Sequence, residues 1–129
     1  MVAVDPNVLV RLLTGDDAAQ TRYAVALFET ERIFIAKTVL LETEWVLRYS
    51  YELKPAVILS ALRKTVGLAQ VTVEDVPAVE QAFTLYDAGM DFADALHLAS
   101  SRGAEIFATF DVRVKKRAAS AVKVRLLGN

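Results

Sequence analysis

Short β-branched runs alternate along the chain with longer segments whose apolar residues recur at helical spacing, the pattern of βα units around a parallel sheet. Val2 to Val4 predicts a brief strand. Asp5 and Pro6 then start a helix, with Asp as cap and Pro at the first helical position, followed by Val8, Leu9, Leu12 and Leu13 before Gly15 ends it. A second helix is predicted from about Asp17 to Thr30, a short buried strand at Ile33 to Ile35, and a helix over Thr38 to Tyr51 with apolar residues on most of its circumference.

Pro55 suits the first turn of a helix through Ala56, Leu59, Leu62 and Val66 to Gly67, and Pro77 does the same for a helix ending near Gly89. Gln70 to Val73 between them is a strand candidate. Phe92 to Arg102 predicts a helix that stops at Gly103, and Glu105 to Phe110 is the clearest buried strand in the pattern. A basic helix, Val112 to Ala119, precedes a last strand at Val122 to Leu126. About five short strands with helices between them predict an α/β fold, a three-layer α/β/α sandwich around a short, mainly parallel sheet.

Composition narrows the class. With 129 residues, 54% of them hydrophobic, the chain is long enough for one sizeable core and too short for two ordinary domains, so a single domain over residues 1–129 is expected. Fifteen basic against sixteen acidic residues leave a formal net charge of -1, so no global basic field announces nucleic acid and no acidic excess announces disorder. Absence of cysteine excludes disulfides, thiolate metal sites and thiol nucleophiles, and suits a reducing cytoplasm. The first residues lack a basic leader, and charge breaks every apolar run well before about 18 residues, so a soluble, non-exported, cytoplasmic protein is expected.

Four carboxylates stand out against this background: Asp5, Glu42, Asp94 and Asp111. Ligands of open parallel sheets sit outside the carboxyl ends of the strands; Asp5 follows the first strand and Asp111 follows Phe107 to Phe110. Uncompensated negative charge in a small domain calls for a cation, and a hard divalent ion prefers oxygen ligands. Capping competes with this reading: Asp5 before Pro6 is a good cap, Asp91 with Asp94 resembles an acidic capping box, and Asp111 suits the start of the next helix. No helix end explains Glu42. Its neighbours one turn away include Val39, Trp45 and Val46, which predicts a carboxylate in apolar surroundings, either neutral or cation-bound, whereas Glu44 has Arg48 four residues on for a surface ion pair.

Taken together, Asp5-Pro-Asn-Val-Leu-Val-Arg, Glu42 in a helix a third of the way along, Asp91-Phe-Ala-Asp-Ala-Leu-His-Leu-Ala and Phe107-Ala-Thr-Phe-Asp111 resemble the PIN-domain family, in particular its VapC toxins from type II toxin-antitoxin pairs. The resemblance spans nearly the whole chain and implies a Mg²⁺- or Mn²⁺-dependent endoribonuclease acting on RNA. It further implies a homodimer, held inactive by a cognate VapB-like antitoxin in a heterotetramer or larger assembly, with no membrane association. Carried over by position, Asp5, Glu42, Asp94 and Asp111 are the metal-binding and catalytic acids, none of them substituted. Asn7 matches a polar position that orients a carboxylate or water, Thr109 a hydroxyl near the fourth acid, and Asp91 is a further supporting acid.

Hydrolysis by an activated water fits these residue types. One metal or two stays open, and with no obvious side-chain base that role falls to metal-bound hydroxide. Arg11, six residues beyond Asp5, reaches phosphate or solvates its helix, and Arg113, Lys115 and Lys116, with Arg117, Lys123 and Arg125, either contact the RNA backbone or form a solvated helix face. His97, the sole histidine, is left out of the catalytic set in favour of packing or a core hydrogen bond, and Tyr49, Tyr51 and Tyr86 are read as core or interface residues. The segments Leu40 to Tyr51 and Val57 to Leu68 carry apolar surface suited to a dimer or an antitoxin helix. Two further readings compete: a non-catalytic α/β binding module whose acids are caps, and a receiver-like phosphoacceptor domain with Glu74 or Asp75 at a strand end.

Overall fold

All three prolines open helices, where the missing N–H breaks no bond and the fixed φ favours the first turn. Aspartates do the complementary work: Asp5, Asp17, Asp75 and Asp91 each accept a backbone N–H at the start of a helix. A computed structural model describes residues 1–118 and 122–128. It divides into two units, Met1–Glu74 and Asp75 onward.

The first unit runs β1 (Val2–Ala3), α1 (Pro6–Thr14), α2 (Ala18–Thr30), β2 (Ile33–Ile35), α3 (Lys37–Tyr49), α4 (Pro55–Val66) and β3 (Val71–Val73). Its sheet has the order β1-β2-β3, all parallel, in register Val2↔Ile33 and Ile33↔Val71. Parallel strands need crossovers, and each is supplied here by two helices. Ile33 and Ile35 on the middle strand are fully buried, as are Leu9, Leu40, Leu47, Ile58 and Leu62 on the helices. Gly15 ends α1 at φ 64°, a left-handed cap that a β-carbon would strain.

The second unit contains α5 (Val76–Asp87), α6 (Phe92–Ser100), β4 (Phe107–Thr109), α7 (Val112–Ala118) and β5 (Val124–Leu126). Phe92 is fully buried and packs its ring 6.1 Å from Phe83 and 5.1 Å from Tyr86, which joins α5 to α6. Strands β4 and β5 pair in parallel, Phe107↔Val124. Among the described residues no helix is long and apolar enough to cross a membrane.

The α/β class, the parallel pairing and the number of strands agree with the sequence pattern, the strands forming one ladder of three and one of two. One expectation changes. Glu105 to Phe110 is not a fully buried strand: only Phe107–Thr109 pairs, Ala108 faces solvent and Phe110 is 77% exposed, so the apolar run alternates faces. The predicted end of the basic helix at Ala119 lies outside the described residues. The strand order also opposes a receiver-like domain, which places β1 between β2 and β3; here β2 is central.

Candidate active site

In the first unit Asp5 leaves β1 in extended conformation and caps α1, its Oδ1 accepting the Val8 N–H at 3.2 Å. The cap uses one oxygen, and Oδ2 has no partner among the described residues. Asp5, Asn7 and Arg11 line one recess of about 520 Å³. Arg11 is held there rather than free for phosphate: its Nε donates to Gln20 Oε1 at 2.7 Å and its NH1 to the Tyr51 hydroxyl at 3.2 Å, with Asp16 Oδ2 3.8 Å away. Tyr51 in turn donates to Asp16 at 2.7 Å. It is therefore a surface-network residue, not a stacking platform or a core ring.

Helix α3 reverses the expectation for its two glutamates. The buried stripe is Leu40, Thr43, Glu44 and Leu47, the i, i+3, i+4, i+7 spacing of one helix face. Glu44 is 1% exposed and takes Arg48 Nε at 2.7 Å and NH2 at 3.3 Å, while Glu42 and Trp45 face solvent. The Glu44 carboxylate holds the Arg48 guanidinium well above its ordinary pKa. Glu42 thus has no apolar surroundings to demand a cation, and its candidacy rests on its position in the family pattern alone. The Leu40–Leu47 stripe is one of several apolar faces the sequence offers on this helix, and packing selects it.

The second unit brings three carboxylates into one electrostatic neighbourhood. Asp91 caps α6 and accepts the Asp94 N–H at 3.2 Å, which sets Asp94 in the first turn. Burial, then the like charges of Asp91 and Asp111, push the Asp94 carboxyl above its usual range, against the opposing pull of His97 and Arg113. Asp111 goes the other way. Arg113 donates to it from its backbone N–H at 2.8 Å and from its guanidinium at 3.1 and 3.2 Å, and these bonds hold Asp111 below the usual carboxylate range. Thr109 Oγ1 accepts the Asp111 N–H at 3.0 Å and fixes the turn leaving β4.

Arg113 is consequently the counter-ion of this cluster, its own pKa raised by Asp111, then Asp94 and Asp91. Lys115 is tied to the Val124 carbonyl at 2.9 Å and Arg117 to the Ala88 carbonyl at 3.4 Å, while Lys116 faces solvent. His97 is exposed rather than packed. Glu74 and Asp75, the acids a phosphoacceptor would need, are engaged: Glu74 accepts the Lys37 N–H at 2.9 Å and Asp75 pairs with Arg102 at 2.8 Å.

Among the described residues no three Asp, Glu or His side chains form a ready cage for a metal. The donor chemistry still fits Mg²⁺ or Mn²⁺, because such ions keep several waters and use one or two carboxylates plus substrate phosphate. Asp94, raised by burial and then by like charges, is the carboxylate whose ionisation a divalent cation would relieve most directly.

Comparison with known proteins gives the same family. The sequence profile of the PIN domain matches residues 2–120. The crystal structure of Mycobacterium tuberculosis VapC20, described as a sarcin-ricin loop cleaving toxin, is 21% identical over 95% of this chain and 99% of that one, with a TM-score of 0.46. No curated protein matches the chain at significant similarity.

Proposed function

The chain belongs to the PIN-domain family, and on that premise we propose that it is a Mg²⁺- or Mn²⁺-dependent endoribonuclease, the toxin of a VapBC-type pair, acting in the cytoplasm. Family membership over nearly the whole sequence carries the reading. The like-charged neighbourhood of Asp94 supports it, since a fold gains nothing in stability from repulsion among Asp91, Asp94 and Asp111.

In this proposal Asp5, Glu42, Asp94 and Asp111 hold the ion. When bound, the cation supplies a Lewis acid to the scissile phosphate and lowers the pKa of a water. The chain's own residues do the rest. Asp91 and Thr109 fix the backbone on which Asp94 and Asp111 sit. Asn7, beside Asp5 in the same recess, orients that carboxylate or a water. Arg113 balances the acids until a cation and substrate replace its charge. Lys116, exposed on α7 and without a partner among the described residues, draws in the RNA backbone, with Arg113 and Lys115 adding to the local positive field.

A VapB-like antitoxin and a second copy of the chain are the proposed protein partners. The first unit offers a groove of about 670 Å³ lined largely by apolar groups, among them Leu12, Leu13, Val57, Ala61 and Leu68. Helix α3 exposes Trp45 and Tyr49, 53% and 58% accessible, as a tilted aromatic pair suited to a dimer contact.

Incubating the purified protein with a pool of cellular RNAs and Mn²⁺ and mapping the new ends tests the activity. Cleavage that disappears with EDTA and in Asp5→Asn and Asp94→Asn is the expected result; undiminished cutting by both variants overturns the assignment.

A further inference from the structure

The recess beside Asp5 has features that capping and ion binding do not use. Tyr23 on α2 lines it with its side chain 79% exposed, the highest accessibility of any large hydrophobic residue described. It has no hydrogen bond or ring partner among the described residues. An aromatic ring left in water at the mouth of a cavity does no packing work for the fold. Opposite chemistry lines the same recess: the apolar floor of Val8, Ala24 and Leu27, and the amides of Asn7 and Gln20.

Gln20 is preset. Its Oε1 takes the Arg11 Nε–H at 2.7 Å, and Arg11 is itself braced by Tyr51 and Asp16. The hydroxyl of Thr21 adds a bond to the Arg11 carbonyl at 3.3 Å, pinning α2 to α1 at the rim. With the carbonyl oxygen accepting from Arg11, the part of the Gln20 amide without a partner among the described residues is its NH₂, a donor oriented without any ligand present. A polar wall already ordered by the fold loses little entropy when a ligand arrives.

We infer that this recess is a subsite for one unpaired ribonucleotide: its base stacks on Tyr23, a carbonyl on the base edge accepts from Gln20, and its phosphate is directed toward Asp5. The inference rests on the ribonuclease reading above and extends it to substrate form. A volume of about 520 Å³ is in the range of small-ligand sites and suits a nucleotide. An A-form duplex offers no free base face, so the subsite selects single-stranded segments and loops. Arg11, paired to Asp16, acts as a positioning residue for Gln20, so the contribution of this subsite is stacking and hydrogen bonding more than charge.

Single-turnover cleavage of a mixed-sequence single-stranded RNA pool with Mn²⁺, paired with fluorescence anisotropy of the same labelled RNA, tests this. Tyr23→Ala is expected to raise the half-saturating protein concentration about tenfold, with Tyr23→Phe close to wild type and the fully bound cleavage rate retained. The loss should persist as salt is raised, unlike loss of a phosphate contact. Gln20→Ala is expected to broaden base preference at one position beside the cut. Wild-type affinity and an unchanged cut pattern in Tyr23→Ala overturn the subsite while leaving the ribonuclease reading intact. Absence of both binding and cleavage in wild type overturns the two together. Because the ring is exposed, circular dichroism of Tyr23→Ala is expected to match wild type, so a loss of affinity is not a loss of fold.

Discussion

Around Asp5 the fold supplies room, an exposed ring and hydrogen bonds set in advance; around Asp94 it supplies like charges and a facing guanidinium. The first region is organised by geometry and the second by electrostatics. On the proposed function, that contrast corresponds to two tasks, placing a nucleotide and holding an ion. It also predicts that substitutions at Tyr23 and Gln20 fail in affinity and cut pattern, and those at Asp94 in ion dependence.

The largest expected effect lies in the second region. Asp94→Asn is expected to lower single-turnover RNA cleavage by about 10³-fold, the scale of several kcal/mol of lost charge stabilisation. Equal loss in Asp5→Asn would tie the two regions to one ion, whereas a loss confined to Asp94→Asn would assign the ion to the acid cluster alone. Next comes Arg48→Ala, which takes the guanidinium away from the buried Glu44 carboxylate and is expected to cost about 3 kcal/mol in urea unfolding. Glu42→Gln, on the exposed face of the same helix, should leave stability unchanged, so any effect it has on cleavage reports function.

Mn²⁺ at about 100 times its Kd should stabilise the protein by about 2.7 kcal/mol in a melting curve, and Asp94→Asn should lose most of that gain. Dispersed caps without a shared ion predict no gain at all. Arg113→Gln removes the resident counter-ion and is expected to tighten Mn²⁺ by a few-fold in a calorimetric titration. Weaker Mn²⁺ binding in that variant would show that Arg113 supports the site rather than competing with the ion.

The smallest effect is one of pH on the metal-free protein. The Asp94 carboxyl is raised in the fold, so folding takes up protons as pH falls through that raised value, and the repulsion it carries is a penalty present above it. Metal-free Asp94→Asn should therefore melt slightly higher than wild type at neutral pH. The difference should close as pH falls through the raised Asp94 pKa toward the ordinary carboxylate range. A variant that melts lower at neutral pH contradicts the repulsion.

Much of this was legible in the sequence because its signals are local. Proline at the first turn, aspartate before it and glycine after the last turn fixed α1 without tertiary information. The order of the acidic motifs was equally readable. What failed was burial. Glu42 and Glu44 sit two residues apart on a helix with apolar residues on several faces, and only the packing partner decides which face turns inward. Phe110 misled for the same reason, since an apolar run does not reveal whether one or both faces of a strand are covered. Tyr23 and Gln20 carried no motif, and the recess they line needs α1 and α2 side by side to exist.

One oxygen of Asp5 closes a helix while the other is left over. This division of labour makes the position demanding about length as well as charge. Asparagine preserves the helix start and deletes the anion; alanine deletes both, at about 1 kcal/mol for the cap. Glutamate keeps the anion yet reaches too far to serve as an ordinary cap, so even this charge-conserving exchange disturbs the start of the helix that bears Asn7 and Arg11.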